Sequence, residues 1–223
     1  MRTLILFDLD GTLTDSGPGI IRCVQYALRK MGRPMPEAQE LACFVGPPLL
    51  EQFMDYGGFS REEGMEAVRF YRERYSSAGI FENALYPGIP EMLEHLSGRG
   101  IRLGVASSKP EIYVRQILEY FGLLKYLDPV TGSELDGRRT DKTEVIEEAL
   151  RRSGYKNAEE QVIMCGDRCY DARGAAERGL RFVGVSYGYG SREELLEAGA
   201  ERIAGTVREL EQMLLEDAGK QED

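Results

Sequence analysis

Polar and apolar positions along this chain fall into two regimes. The first begins with Leu4 to Phe7, an uninterrupted apolar run that ends in Asp8, Leu9 and Asp10. A short apolar run bounded by charge reads as a strand buried on both faces. Next, "SGPGIIRCVQYALRKMG" sets Ile20, Ile21, Val24, Ala27, Leu28 and Met31 at helical spacing before Gly32 stops it. "PPLLEQFMDYGG" and "SREEGMEAVRFYRERY" are two further helical segments, and Ser60 followed by Glu63 is a capping-box pattern. No strand pattern interrupts residues 17 to about 80, which predicts an all-helical insertion directly behind the first strand.

From Leu85 onward, helix alternates with strand. Ile89, Met92, Leu93 and Leu96 mark a helix that leads to the strand "IRLGVASS". A helix opening at Pro110 carries Ile112, Val114, Ile117, Leu118 and Phe121 and ends at Gly122. The extended piece "LDPVTGS" precedes the helix "KTEVIEEALRRSG". "QVIMCGD" is a strand, followed by a helix near Asp171 to Arg178, the strand "LRFVGVSYG" and a last helix, "VRELEQMLLED". Such alternation implies right-handed crossovers and a parallel sheet covered on both faces. The predicted fold is α/β: a Rossmann-like parallel sheet core of residues 1–15 and 83–223, with helices on both faces, plus an all-helical cap of residues 16–82.

In open α/β sheets the ligand sits outside the carboxyl ends of the strands. Asp8 and Asp10, then Ser107 and Ser108, then Asp167 all stand at such ends. Burying an unpaired charge costs several kcal/mol, and two like charges side by side cost more unless a cation or donors offset them. The site outlined by these residues therefore calls for positive charge.

Composition narrows the partners. The 223 residues are 42% hydrophobic and 30% charged, enough for one large domain or a core carrying a smaller one. A net charge of −10 weighs against a nucleic-acid polymer or an anionic membrane surface as partner. A small phosphorylated metabolite stays open if its site is locally positive. No apolar run approaches the ~18–20 residues of a membrane span. The N-terminal apolar patch is also shorter than the ~7–15 residues of a signal peptide core, so a cytoplasmic protein is expected. Cys23, Cys43, Cys165 and Cys169 form no CxxC pair, and the single His95 cannot complete a zinc site with them. All four are expected as reduced, structural thiols, and His95 as half-exposed scaffold.

Four segments together resemble the motifs of the haloacid dehalogenase-like superfamily, in its order: "DLDGT", the strand-final serine of "VASSKP", the lysine of "TDKTEVI", and "GDRCYD". The likeness spans about residues 3 to 214, and the helical insertion sits where that family carries its first cap. "FVGPPLLEQF", "LYPGIPEML" and "YGYGS" are most similar to its phosphoglycolate phosphatase and 5′-nucleotidase-like branch. The resemblance implies a Mg²⁺-dependent phosphatase of small phosphomonoesters, phosphoglycolate phosphatase-like, in which Asp8 forms an aspartyl-phosphate. Asp10 would serve as general acid and then as base. Mg²⁺ would be held by Asp8, the Asp10 carbonyl and Asp167, with Asp171 orienting the metal's water or the loop. Oxygen ligands without His or Cys suit Mg²⁺ rather than zinc. Ser107 and Lys142 would hold the transferring phosphoryl group. Thr12 would brace the loop after Gly11 and, with Gly46, Ser108 and Lys109, would face the substrate.

Several of these residues carry a second reading. Asp171 is equally a plain N-cap of the following helix, and Gly46-Pro47-Pro48 is also a simple helix start. Ser107 and Ser108 are not separated by sequence, and Arg168 fits the acidic site, the substrate or plain solvation. Nucleotidase or pyrophosphatase activity, or a phosphomutase of the β-phosphoglucomutase type, would use the same nucleophile and acid. Net phosphate release without a bisphosphate activator separates hydrolysis from the mutase. A dehalogenase needs neither Asp10 nor the metal ligands, and a non-catalytic binding protein has no use for Asp8, Asp10, Lys142 and Asp167 together. Nothing in the sequence signals oligomeric state.

Overall fold

The computed structural model describes residues 3–155 and 162–219. The chain enters through β1 (Leu4–Phe7) and β2 (Thr14–Asp15), then runs through α1 (Gly17–Lys30), α2 (Leu49–Gly57) and α3 (Arg61–Tyr75). It returns through β3 (Ala84–Leu85) to α4 (Ile89–Gly98), β4 (Arg102–Pro110), α5 (Glu111–Tyr120), β5 (Leu127–Ser133) and α6 (Lys142–Ser153). β6 (Val162–Gly166), α7 (Cys169–Glu177), β7 (Arg181–Val185), α8 (Arg192–Glu197), β8 (Arg202–Ala204) and α9 (Val207–Gly219) complete it. Six strands form one parallel sheet in the order β5-β4-β1-β6-β7-β8.

β1 lies inside this sheet, and its pleat divides two cores. Ile5 and Phe7 pack with Met92 and Leu93 of α4, Ile117 of α5 and Leu210 of α9. Leu4 and Leu6 face Val145, Ile146 and Ala149 of α6 and Ala175 of α7. An apolar strand with both faces covered has no polar side, which is why the run reads LILF without alternation. The expected α/β fold with helices on both faces is the fold observed.

Between β2 and β3 every regular element of the described chain is a helix. Cys23, Val24 and Ala27 of α1 share the first core with Ala67, Tyr71 and Tyr75 of α3. The capping box at the start of α3 is formed: Ser60 N–H donates to Glu63 at 2.8 Å, and Glu63 N–H donates to Ser60 Oγ at 3.2 Å. The helical segment leaves and rejoins the core through an antiparallel pair, Thr14 with Leu85 and Asp15 with Ala84. Two residues per strand are too few to show a period, so the sequence pattern does not reveal this ladder.

Other departures have similar causes. β4 runs past the serines to Pro110 because, after a register shift, Pro110 pairs with Ser133. α7 starts at Cys169 rather than near Asp171, which puts Asp171 in the third position with Arg168 as the N-cap. α8 and β8, six and three residues long, were not expected. Gln161, the expected first residue of the β6 strand, lies outside the described residues. His95 is exposed rather than half-exposed, with Nδ1 3.0 Å from Glu211 on α9. The four cysteines are free. Among the described residues no helix is long and apolar enough to cross a membrane.

Glu148 on α6 accepts from Arg151 at 2.7 and 2.8 Å and from Arg152 at 2.7 Å. The Arg151 hydrogen bonds, against a smaller opposing effect of burial and aided by Arg152, lower its carboxyl from 4.5 to about 2. The unfolded chain thus binds this proton more readily than the folded one. The stabilisation is present above the unfolded value and is lost as pH falls from 4.5 toward about 2. Glu148→Gln should cost about 1 kcal/mol at neutral pH. In urea denaturation followed down the acid limb, its difference from the parent protein should shrink.

Candidate active site

The site begins where β1 runs out of apolar residues. Asp8 N–H still donates to Cys165 on β6 at 2.8 Å, and the chain then turns, with Leu13 and Thr14 N–H both donating to the Leu9 carbonyl at 3.0 Å. Gly11 makes the turn at φ +81°, and a Cβ there would stand 2.1 Å from Asp167 Oδ2. Only glycine satisfies both the backbone and the neighbour.

Three carboxylates meet behind this turn. Asp8, Asp167 and Asp171 are all buried and offer oxygens that lie within 4.8 Å of one another. Lys142 Nζ sits among them, 2.8 Å from Asp8, 2.7 Å from Asp171 and 3.1 Å from the Ala106 carbonyl. Lys142 is the first residue of α6, and the preceding Asp141 caps that helix by accepting from Thr143 N–H at 2.8 Å. The cap fixes the turn that aims the lysine inward. Asp171 is not the N-cap that one reading allowed. From the third helical position it accepts from the Arg168 N–H at 3.0 Å and turns its other oxygen to Lys142. Asp167 Oδ2 accepts from Tyr189 N–H at 2.7 Å, and Oδ1 from the Thr12 hydroxyl at 3.5 Å.

One ammonium does not balance three buried acids. Burial raises the Asp8 carboxyl; Lys142 pulls it down, Asp171 and Asp10 push it up, and the result is about 6. Burial, then Asp171 and Asp8, push Asp167 well above the carboxylate range. Lys142 would be lowered by burial, but Asp171 and Asp8 more than offset this and hold it protonated. The surplus negative charge on a buried, all-oxygen donor set fits a hard divalent cation. Among the described residues, no His or Cys joins the cluster.

Asp10 stands apart. Its carboxylate accepts from Lys109 Nζ at 2.6 Å, both side chains being buried. Burial would lower the Lys109 pKa; Asp10 and the Tyr75 hydroxyl reverse that. Asp10, Ser108 and Lys109 line one wall of a cavity of 630 Å³, opposite Gly46, Met54, Met65 and Tyr71 from the helical segment. Ser107 is buried instead, its Oγ accepting from Lys109 N–H at 3.4 Å. Thr12 is fully buried and turned to Asp167, away from the cavity. Gly46 packs on Arg168, whose Cγ would lie 3.1 Å from an added Cβ.

Arg168 is no surface group. It donates to the Val45 carbonyl at 2.5 Å and to Glu194 at 2.9 Å, tying the helical segment to the core. Sequence reasoning missed Tyr75, Tyr189 and Glu194. Only the glycines alternating with tyrosines in "YGYGS" offered a signal, since small residues mark close backbone approach.

The haloacid dehalogenase-like hydrolase family matches residues 5–185. A 5′-nucleotidase from Pseudomonas aeruginosa is 48% identical over 191 residues, 86% of each chain. The tyrosine-protein kinase PtkA of Mycobacterium tuberculosis is 39% identical over 95% of this chain and 72% of its own. A crystal structure described as a predicted phosphatase from Clostridium acetobutylicum superposes with a TM-score of 0.93 at 44% identity, covering 97% of this chain and 99% of the other. The chain belongs to the haloacid dehalogenase-like hydrolase family, and within it is a phosphatase-type enzyme.

Removing Lys142 should expose the imbalance. Lys142→Met should lose roughly 3 kcal/mol of unfolding free energy above pH 7.5 without divalent metal. The loss should be smaller at pH 5, below the raised Asp8 value, where the acids take up protons. Urea denaturation at the two pH values measures both.

Proposed function

We propose that the protein is a Mg²⁺-dependent phosphatase of small phosphomonoesters, working through an aspartyl-phosphate on Asp8, with nucleoside monophosphates favoured over phosphoglycolate. The observation that carries this reading is the buried Asp8–Lys142 pair at a strand end, beside Asp167 and Asp171 and two residues from Asp10. An Asp8 oxygen attacks phosphorus while the bond to the leaving oxygen breaks; Asp10, released from Lys109 as that lysine turns to the phosphoryl oxygens and entering the step as the carboxylic acid, gives the leaving oxygen its proton. Asp10 then takes a proton from the attacking water, the phosphorus–Asp8 bond breaks, and inorganic phosphate leaves. Lys142 neutralises Asp8, while Ser107 or Ser108 and Lys109 hold phosphoryl oxygens. Mg²⁺, held by Asp8, Asp167, the Asp10 carbonyl and, directly or at one remove, Asp171, would offset the charge repulsion between phosphate and carboxylates.

Residues 16–82 act as the cap that covers the reacting groups and excludes water. The 630 Å³ cavity supports the substrate order. It has room for a substrate as large as a nucleoside monophosphate, and far more than phosphoglycolate needs. The similarity to a 5′-nucleotidase points the same way. The enzyme acts in the cytoplasm, in keeping with its free cysteines.

A second reading, phosphoryl transfer from a nucleotide to a tyrosine, follows from the likeness to a tyrosine-protein kinase. The fate of the phosphoryl group separates the two. With Mg²⁺ and a panel of nucleoside monophosphates, phosphoglycolate and pyrophosphate, the enzyme should release inorganic phosphate. kcat/KM should be about tenfold higher for the best nucleotide than for phosphoglycolate. With ATP and a tyrosine peptide it should leave the peptide unphosphorylated. Asp8→Asn should lower kcat at least about 10³-fold with an unchanged circular dichroism spectrum. Turnover equal to the parent enzyme would remove Asp8 from its role.

A further inference from the structure

The segment Tyr187–Gly190 leaves β7 and packs directly on the acidic cluster. A Cβ on Gly190 would lie 1.9 Å from the Asp167 carbonyl, and one on Gly188 would lie 2.3 Å from the Gly11 carbonyl and 2.5 Å from Asp167 Oδ2. Glycines at both positions let the backbone come close enough for Tyr189 N–H to reach Asp167 Oδ2 at 2.7 Å. The same residue reaches the other way. Its hydroxyl donates to Asp15, the last residue of β2, and accepts from the N–H of Gly17, the first residue of α1, at 3.0 Å. Gly17 is fitted to this contact too, because a Cβ there would stand 2.0 Å from the Tyr189 hydroxyl.

Asp15 and Gly17 form the junction through which the helical segment leaves the core. Beside it, Tyr187 donates to the Thr12 carbonyl at 3.0 Å and sets its ring 4.9 Å from that of Tyr86, next to the returning strand β3. Both connections between core and helical segment are thus touched by this one loop. A tyrosine used only for packing would need no pair of glycines beneath it and no two-way hydrogen bond at its hydroxyl.

The geometry points to Tyr189 as a positioning residue: its main chain holds Asp167 for a divalent cation, and its hydroxyl ties that placement to the entry junction of the helical segment. The inference rests on the proposed metal site. Any displacement of Asp15 or Gly17 would pull on the Tyr189 hydroxyl, and through that residue on the N–H that aims Asp167. A group that orients a ligand carboxylate commonly matters about 10- to 100-fold in metal affinity.

The test is calorimetric titration of the full chain with MgCl₂ in the absence of substrate, together with amide hydrogen exchange at residues 12–17. Tyr189→Phe keeps the ring and loses both hydroxyl bonds; it should bind Mg²⁺ about 10-fold more weakly. It should also exchange faster at the junction, while its melting temperature without metal stays close to that of the parent protein. Asp15→Asn retains an oxygen that can accept from the hydroxyl, and should restore most of the affinity lost in an Asp15→Ala variant. Asp167→Asn is the control for the site itself. If it binds Mg²⁺ as the parent protein does, the metal reading and this inference both fall. If it weakens binding but Tyr189→Phe does not, this inference alone is overturned. Equal losses of affinity and metal-free thermal stability in Tyr189→Phe would also overturn it, by making the tyrosine merely structural.

Discussion

A single ammonium group, Lys142 Nζ, stands among three buried carboxylates, and the placement of β1, α6 and α7 depends on it. At an effective dielectric of ~20, like charges 4.8 Å apart repel by roughly 3 kcal/mol. Several such terms rival the ~5–15 kcal/mol that holds a domain folded. The lysine relieves part of this through Asp8 and Asp171, both within hydrogen-bonding distance. Asp167 has instead the Tyr189 N–H and the Thr12 hydroxyl. What the fold leaves unbalanced is negative charge, which suits a cation and, without one, would repel a phosphoryl group.

The sheet order explains how residues so far apart meet. β4 and β6 flank β1, so the ends of three adjacent strands present Ser107, Asp8 and Asp167 on one edge. α6 follows β5 and returns Lys142 to the same edge. The helical segment is inserted in the connection that leaves the carboxyl end of β1 and leads on to its neighbour β4, so it faces that edge without breaking the parallel ladder. Arg168, donating to the Val45 carbonyl, and Arg72, donating to the Leu135 carbonyl at 2.9 Å, tie it to the core at two separate points.

Much of this was legible because it rests on periodicity and on local motifs. The LILF run, the helical insertion and the alternation after Leu85 each follow from burial, which leaves its mark in the sequence. Asp8, Asp10, Lys142 and Asp167 stood out because polar residues ended apolar strands or matched family motifs. The structure adds that Asp10 is engaged by Lys109 and that Ser108, not Ser107, lines the cavity. Tyr75 and Tyr189 stayed hidden: one lies in the core stripe of α3, the other in a turn. Their contacts arise from tertiary proximity, as with Gly17 and Tyr189, 172 residues apart. The Asp15–Ala84 ladder was invisible for a different reason, since two-residue strands carry no pattern.

The acidic cluster holds more negative charge than Lys142 can balance, and under the proposed metal site a divalent cation makes up the difference. Thermal unfolding across a MgCl₂ series, against NaCl at matched ionic strength, tests it most directly. A melting temperature that rises in MgCl₂ with the logarithmic dependence of specific binding to the folded state, beyond the NaCl series, is the predicted result. Coincident MgCl₂ and NaCl curves would mean that the folded cluster binds no divalent cation.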